Sequence, residues 1–109
     1  MTNRPVRFSQ LSPAWRTLVR QMQRLNYGTM SNIQNVDGEP VLDAGFQIVA
    51  SYRFRAENNV RPERSLSDFL LPKEILWLIE IFETERSCRV ARLEVRGGLP
   101  TEVDVEAAA

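Results

Sequence analysis

Two turn sequences, VDGEPV at residues 36–41 and RGGLPT at residues 96–101, restrict the fold of this chain more than any other feature. Asp37-Gly38 is a strong signal for a two-residue β-hairpin turn, because both central positions of that turn need a positive φ. Gly97-Gly98 meets the same requirement, since glycine adopts positive φ without steric cost. Each turn lies between two runs that favour strands. The sequence therefore predicts two antiparallel hairpins.

A helix is predicted in front of each hairpin. Ser12 is a suitable N-cap and Pro13 a suitable first helical residue. Gly28 is predicted to end this first helix by adopting a left-handed conformation. The second helix is predicted from about Pro72 to Glu85. In the first helix, apolar residues recur at spacings of three and four, at Trp15, Leu18, Val19, Met22 and Leu25.

The two halves of the chain align at an offset of sixty residues without a gap. Leu18 then matches Leu78, and the other pairs fall at core or turn positions. These pairs are Val19 with Ile79, Met22 with Phe82, Met30 with Val90, Ile33 with Leu93, Gly38 with Gly98, and Pro40 with Pro100. We predict one helix–hairpin unit present twice, since a single unit buries too little surface to be stable alone. The alternative is that any two helix–hairpin units would align this well.

The predicted fold is α+β, with two helices on one face of an antiparallel sheet of about five strands, in the order α-β-β-β-α-β-β. The 109 residues form a single domain with a pseudo-twofold arrangement. Its predicted parts are an arm at 1–11, a first repeat at 12–43, an extra strand at 46–55, a second repeat at 72–106 and a tail at 107–109. In the extra strand, Phe46, Ile48, Ala50, Tyr52 and Phe54 are expected to face the core.

The stretch LNYGTMSNIQNVDGEPVL at residues 25–42 resembles the small bacterial YezD-type proteins, which have a short helix, a strand led by glycine, a D-G turn and a closing strand. Gly28, Asp37 and Gly38 carry the resemblance, together with Met30 and Ile33. The second half, at residues 75–105, is similar at fewer positions. Cys88 stands there in place of the leading glycine, and Gly97 in place of the aspartate. The resemblance implies an architecture and supplies no catalytic residues.

Several kinds of catalytic site are excluded by composition. The chain has no histidine and a single cysteine, Cys88. Histidine-dependent nucleophilic sites and zinc sites of the usual nitrogen and sulfur type are therefore excluded. No glycine-rich phosphate-binding motif occurs. We expect no catalytic residues, cofactor or metal. The single cysteine fits a reducing compartment, and no apolar run is long enough to span a membrane, so we predict a cytoplasmic protein.

The second helix has more apolar residues than one buried stripe requires. Leu76, Trp77 and Ile81 lie outside the stripe expected to face the core. Either this helix is covered by more of its own domain, or these residues contact another chain; tryptophan is common at protein interfaces. Our leading hypothesis is a small non-catalytic interaction or regulatory protein that forms a homo-oligomer, most simply a homodimer, or binds a protein partner through this helix.

The second hypothesis is a nucleic-acid-binding protein. Residues 1–36 contain five arginines and no acidic residue, although the formal net charge of the chain is zero. The candidate phosphate contacts are Arg16, Arg20, Arg24, Arg53 and Arg55. The opposing interpretation is an ordinary solvated face. An enzyme is the third hypothesis; it would need a pocket that gathers Glu80 or Glu83 with an arginine and a tyrosine.

Overall fold

A computed structural model describes residues 5–52, 54 and 62–106. The protein is α+β, with two α-helices and a five-stranded antiparallel sheet, as predicted. Two 3-10 helices, Phe8–Gln10 and Pro62–Ser65, complete the described elements. The main elements are α1 (Pro13–Leu25), β1 (Tyr27–Val36), β2 (Glu39–Val41), β3 (Gln47–Ala50), α2 (Lys73–Glu85), β4 (Ser87–Arg96) and β5 (Leu99–Glu106).

The two long strands β1 and β4 form the centre of the sheet. Their pairing is antiparallel and runs from Tyr27 opposite Arg96 to Val36 opposite Ser87. β5 pairs with the other edge of β4. The other edge of β1 is shared, because β2 pairs with its C-terminal end and β3 with its N-terminal half.

Both hairpin turns have the predicted geometry. Asp37 and Gly38 have φ of 52° and 88°, and Gly97 and Gly98 have φ of 60° and 78°. The prediction for the end of the first helix was wrong. Asn26, with φ of 65°, is the C-cap of α1, and Gly28 lies inside β1. The single residue Asn26 therefore suffices to turn the chain from helix to strand.

One face of the sheet is covered by both helices. The strands contribute to the core Met30 and Ile33 of β1 and Val90 and Leu93 of β4, all fully buried. The residues of each pair are three positions apart because the ladder is irregular at Asn32, whose φ is 60°. Ser12 caps α1 by accepting a hydrogen bond from the Trp15 backbone. The buried helix residues are Trp15, Leu18, Val19, Met22, Gln23, Ile75, Leu78, Ile79 and Phe82. The opposite face of the sheet, here called the open face, is not covered by either helix.

The bounds of α2 and β4 are those of α1 and β1 displaced by sixty residues. The contacts between the halves follow the same offset. The Gly38 N–H donates to the Arg86 carbonyl at 3.0 Å, and the Gly98 N–H donates to the Asn26 carbonyl at 2.9 Å. Each turn thus binds the residue that ends the other half's helix. The duplication of one unit stays a prediction, which this geometry favours.

The segment predicted as an arm, residues 1–11, packs against the domain over its described part. Phe8 and Leu11 are buried in the common core, and the Phe8 ring stacks on Phe69 with centroids 5.0 Å apart. The Leu71 N–H donates to the Val6 carbonyl at 2.8 Å. The local sequence did not predict this contact, because the residues against which the segment packs lie about sixty positions away along the chain.

The extra strand differs most from its prediction. Within the predicted range 46–55 only Gln47–Ala50 form a strand, β3, and all four of these residues are exposed. Tyr52 and Phe54, which we expected in the core, are 80% and 97% exposed. Phe46, which precedes β3, is half-buried and packs against the core as predicted, but the alternation that follows it did not identify a buried face. Arg53 and Arg55 lie outside the described residues.

Candidate interaction surface

An apolar groove lies between α2 and the neighbouring edge strand β5. Trp77 is 56% exposed, and Ile81 is half-buried one turn further along α2. β5 contributes Val103 and the buried Pro100 to the opposite wall. The groove has a volume of about 170 Å³. We call it the α2–β5 groove, and its remaining lining residues are Glu74, Leu78, Thr101 and Glu102.

The three interface residues expected from the sequence do not have the same surroundings. Leu76 is half-buried and packs against the protein's own core. Trp77 and Ile81 line the α2–β5 groove together. The protein's own domain therefore covers Leu76 and leaves Trp77 open to solvent, and contact of Trp77 with another chain stays a prediction.

The ends of α2 carry opposite charges. Lys73 is the first residue of the helix, and its ammonium nitrogen lies 5.5 Å from the centroid of the Trp77 ring. A cation over an aromatic ring at this distance is attracted by the ring electrons. Glu85 is the last helical residue and lines the surface beyond Ile81. The apolar pair Trp77 and Ile81 thus lies between a first turn that carries both Lys73 and Glu74 and a last helical residue that is acidic.

The corresponding surface of α1 is polar. The residues sixty positions before Trp77 and Ile81 are Thr17 and Gln21. Thr17 is exposed and its hydroxyl donates to the Pro13 carbonyl at 3.0 Å. Two helices of the same length, with buried apolar residues at corresponding positions, therefore differ on their outer faces, and only α2 presents a large apolar side chain there.

The arginines of α1 divide into two groups. Arg16 and Arg24 are exposed, along a shallow depression of about 330 Å³ beside Phe8. Arg20, between them, is half-buried and has a structural contact. Its guanidinium donates to the carbonyls of Glu63 and Leu66 and lies 4.2 Å from the centroid of the Phe8 ring.

A second, larger depression lies where the first hairpin turn meets the end of α2. It has a volume of about 460 Å³, and Trp15 and Ile79 form its apolar floor. The Trp15 indole N–H donates to the Gly38 carbonyl at 3.1 Å. Glu83 and Arg86 stand at its rim, and Arg86 pairs with Asp37 at 2.9 Å. The described residues that line it include no tyrosine, so the three groups named for an enzyme are not gathered there.

The open face of the sheet carries alternating ion pairs between β4 and β5. Arg89 forms a bidentate pair with Glu106, which raises the pKa of Arg89 and lowers that of Glu106. The pKa of Glu94 is lowered chiefly by the hydroxyl of Thr101, which donates to it at 3.0 Å, and next by Arg92. Glu106 of β5 and Glu94 of β4 are therefore paired within the protein.

Cys88 is half-buried beside the core, where the Asn35 amide nitrogen lies 3.4 Å from its sulfur. Over residues 5–52, 54 and 62–106, no group of three or more acidic or cysteine side chains is arranged to hold a metal ion. Within the same ranges, neither helix is long and apolar enough to cross a membrane. Comparisons of the chain with family models, with curated proteins and with solved structures found no match.

The sequence did not reveal a second apolar surface. Ile48 and Val49 of β3 are exposed, Val49 to 60%, and Tyr52 and Phe54 follow directly. Their alternation was a valid strand signal, but it also matches a strand at the edge of a sheet with neither face covered. The signal that could have identified the edge is the absence of charge from Gly45 to Tyr52, combined with the core that the two helices and their hairpins already supply.

Proposed function

We propose that this chain is a small interaction protein that acts by contact and not by catalysis, and that it self-associates through the α2–β5 groove. The observation that carries the proposal is the exposure of Trp77 beside Ile81 and Val103. Tryptophan is among the residues whose truncation most weakens protein interfaces, since it buries a large rigid surface. The absence of histidine and the single cysteine favour a role by contact.

The charges of α2 make a second copy a suitable partner for the groove. If two α2 helices cross in antiparallel orientation about a twofold axis between positions 77 and 81, Trp77 meets the partner's Ile81. The same axis brings Lys73 towards the partner's Glu85. An isologous contact of this kind uses the same patch on both copies. It buries the apolar pair at its centre and joins opposite charges at its rim.

The experiment measures the oligomeric state of Trp77→Glu by sedimentation velocity over a concentration series. We expect the dissociation constant of the α2 contact to rise at least about tenfold, because a charge at the interface centre is desolvated without a partner. Thr17→Glu is the matched control, since it places the same side chain at the corresponding exposed position of α1. Association that is the same for Trp77→Glu, Thr17→Glu and the native chain would contradict the proposal.

Nucleic-acid binding is the alternative proposal, and exposed Arg16 and Arg24 support it. Arg20 supports it less, because its guanidinium is held by backbone carbonyls. A gel-shift series at low salt with single- and double-stranded DNA and RNA tests the alternative. Binding through phosphates must weaken steeply as salt rises and must be reduced in Arg16→Gln/Arg24→Gln. No shift at low salt would dismiss it.

A further inference from the structure

The outer edge of β3 differs from an ordinary protected edge. Among the described residues, β1 is the only strand that pairs with β3. Native edge strands are commonly protected by charged side chains, prolines or bulges. β5, at the opposite edge, follows this rule with Glu102, Asp104 and Glu106 at alternate positions. The eight residues from Gly45 to Tyr52 contain no charge and no proline, and β3 itself is paired without a register shift.

The backbone of β3 has hydrogen-bonding groups that point away from β1. The Ser51 N–H donates to the Tyr27 carbonyl at 2.8 Å, so the backbone of Ser51 faces β1. Successive residues of a strand alternate in this respect, so Val49 also faces β1, while Ile48 and Ala50 face outwards. The ladder places Ile48 opposite Met30 and Ala50 opposite Gly28. The N–H and C=O groups of Ile48 and Ala50 are therefore directed towards the outer edge.

We propose that this edge pairs with β3 of a second copy, in antiparallel orientation, about a twofold axis at Val49. In that register, Ile48 lies opposite the partner's Ala50, and Ala50 opposite the partner's Ile48. Both are hydrogen-bonded pairs, so all the outward N–H and C=O groups of the two residues find partners. Val49 meets the partner's Val49 at the position between them, where side chains approach most closely.

A second copy fits this edge better than it fits the opposite one. Self-pairing of β3 brings no like charges together, because Gly45 to Tyr52 are uncharged. Self-pairing of β5 would set Glu102, Asp104 and Glu106 against the same residues of the other copy, and like charges directly opposite are destabilising. Tyr52 and Phe54, 80% and 97% exposed, follow β3 and add apolar surface beside the new ladder.

The close approach of β3 to β1 keeps the edge in place. A Cβ built on Gly28 would lie 2.2 Å from the Val49 carbonyl oxygen, a distance that no side chain tolerates. Asn32, with φ of 60°, donates its amide to the Gly45 carbonyl at 3.1 Å and fixes the start of the segment. The outward groups of β3 are therefore held in strand geometry before a partner arrives, which lowers the ordering cost of pairing.

The β3 contact is independent of the α2–β5 groove, because the two lie at opposite ends of the sheet. A protein with two different isologous contacts assembles beyond a dimer, as a closed tetramer or an open array. We expect the native chain to exceed a dimer in sedimentation velocity at high concentration. The Trp77→Glu chain should form only a dimer joined through β3, and the Val49→Lys chain only a dimer joined through α2. The double variant should be a monomer.

Two substitutions test the ladder itself. Ala50→Pro removes an N–H that points outwards and leaves the hydrogen bonds between β3 and β1 intact, since proline is tolerated on the solvent side of an edge strand. We expect at least a tenfold rise in the dissociation constant of the Trp77→Glu dimer. Val36→Lys, at a valine that is also exposed but lies at the far end of β1, is the control for Val49→Lys. Circular dichroism of each monomer checks that the fold is retained.

The register is tested by a disulfide. In a Cys88→Ser background, Val49→Cys should form a covalent dimer on mild oxidation, because facing residues at the axis lie within reach of each other. Val36→Cys, in the same background, should form no covalent dimer. A Trp77→Glu chain that is already monomeric would overturn the β3 proposal and leave the α2 proposal standing. Loss of association in Ala50→Pro, together with unchanged association in Trp77→Glu, would support the β3 proposal and overturn the α2 proposal. A Val49→Cys chain that does not cross-link would also overturn the β3 proposal.

Discussion

Asn35 joins the two halves of the protein through one buried polar side chain. It is 2% exposed, and its amide nitrogen donates to the Phe82 carbonyl near the end of α2 at 3.0 Å. Its amide oxygen accepts from the Gly38 N–H at 2.9 Å. The residue sixty positions later is Val95, which is buried and makes no such bonds through its side chain. Asn35 thus joins α2 to the first turn in a way that the other half does not repeat.

We expect Asn35→Ala to lower the free energy of unfolding by about 1–3 kcal/mol, because it removes two buried hydrogen bonds and leaves a small cavity. Urea denaturation measures the loss, and an unchanged m-value would show that the comparison is valid. Gln34→Ala, at the neighbouring half-exposed position, should change stability by no more than about 0.5 kcal/mol. Equal stability of the two variants would mean that the Asn35 hydrogen bonds contribute little.

At the level of elements, the parts that local physics determines were predicted. The hairpin turns need positive φ at two successive residues, and few dipeptides provide it, so Asp37-Gly38 and Gly97-Gly98 could be identified with little context. The two helices have an apolar face with a period of 3.6, which tertiary packing reinforces. These elements define the α+β fold and the α2 surface that carries Trp77.

The elements that depend on distant partners were not predicted. Phe8 is buried because Phe69 and the Arg20 guanidinium pack on its ring, and neither lies near it in sequence. Gly28 was assigned to a helix end, whereas its lack of a Cβ makes room for the Val49 carbonyl. The exposure of β3 depends on how much of the core the two helices and the other strands fill. A local pattern contains no information about such three-dimensional competition for buried surface.

At the level of the whole molecule, a network around Asp68 joins the N-terminal segment to the loop before α2. The Arg7 guanidinium donates to the Asp68 carboxylate at 2.8 Å, and the Ser9 backbone N–H donates to its other oxygen at 2.9 Å. These donors, Arg7 first and then Ser9, lower the pKa of Asp68 from 3.8 to about 2. The carboxylate closes a loop of about sixty residues, so its ionisation affects the stability of the fold as a whole.

The direction of the pH effect follows from the lowered pKa. Because the folded protein holds the Asp68 proton less tightly than the unfolded chain, the ionised carboxylate stabilises the fold above pH 3.8, and this contribution is lost as the pH falls to about 2. We expect Asp68→Asn to have a lower melting temperature than the native chain at pH 7. The melting temperatures of the two proteins should converge near pH 2. Glu83→Gln, at an exposed carboxylate of α2, is the charge-matched control and should follow the native chain. The lowered pKa values of Glu94 and Glu106 give the native chain and Asp68→Asn the same pH dependence, so their effect cancels when the two melting temperatures are compared. If the difference in melting temperature between the native chain and Asp68→Asn stays constant from pH 7 to pH 2, the substitution has removed steric packing. The stabilisation would then not depend on the charge that joins Arg7 to the loop.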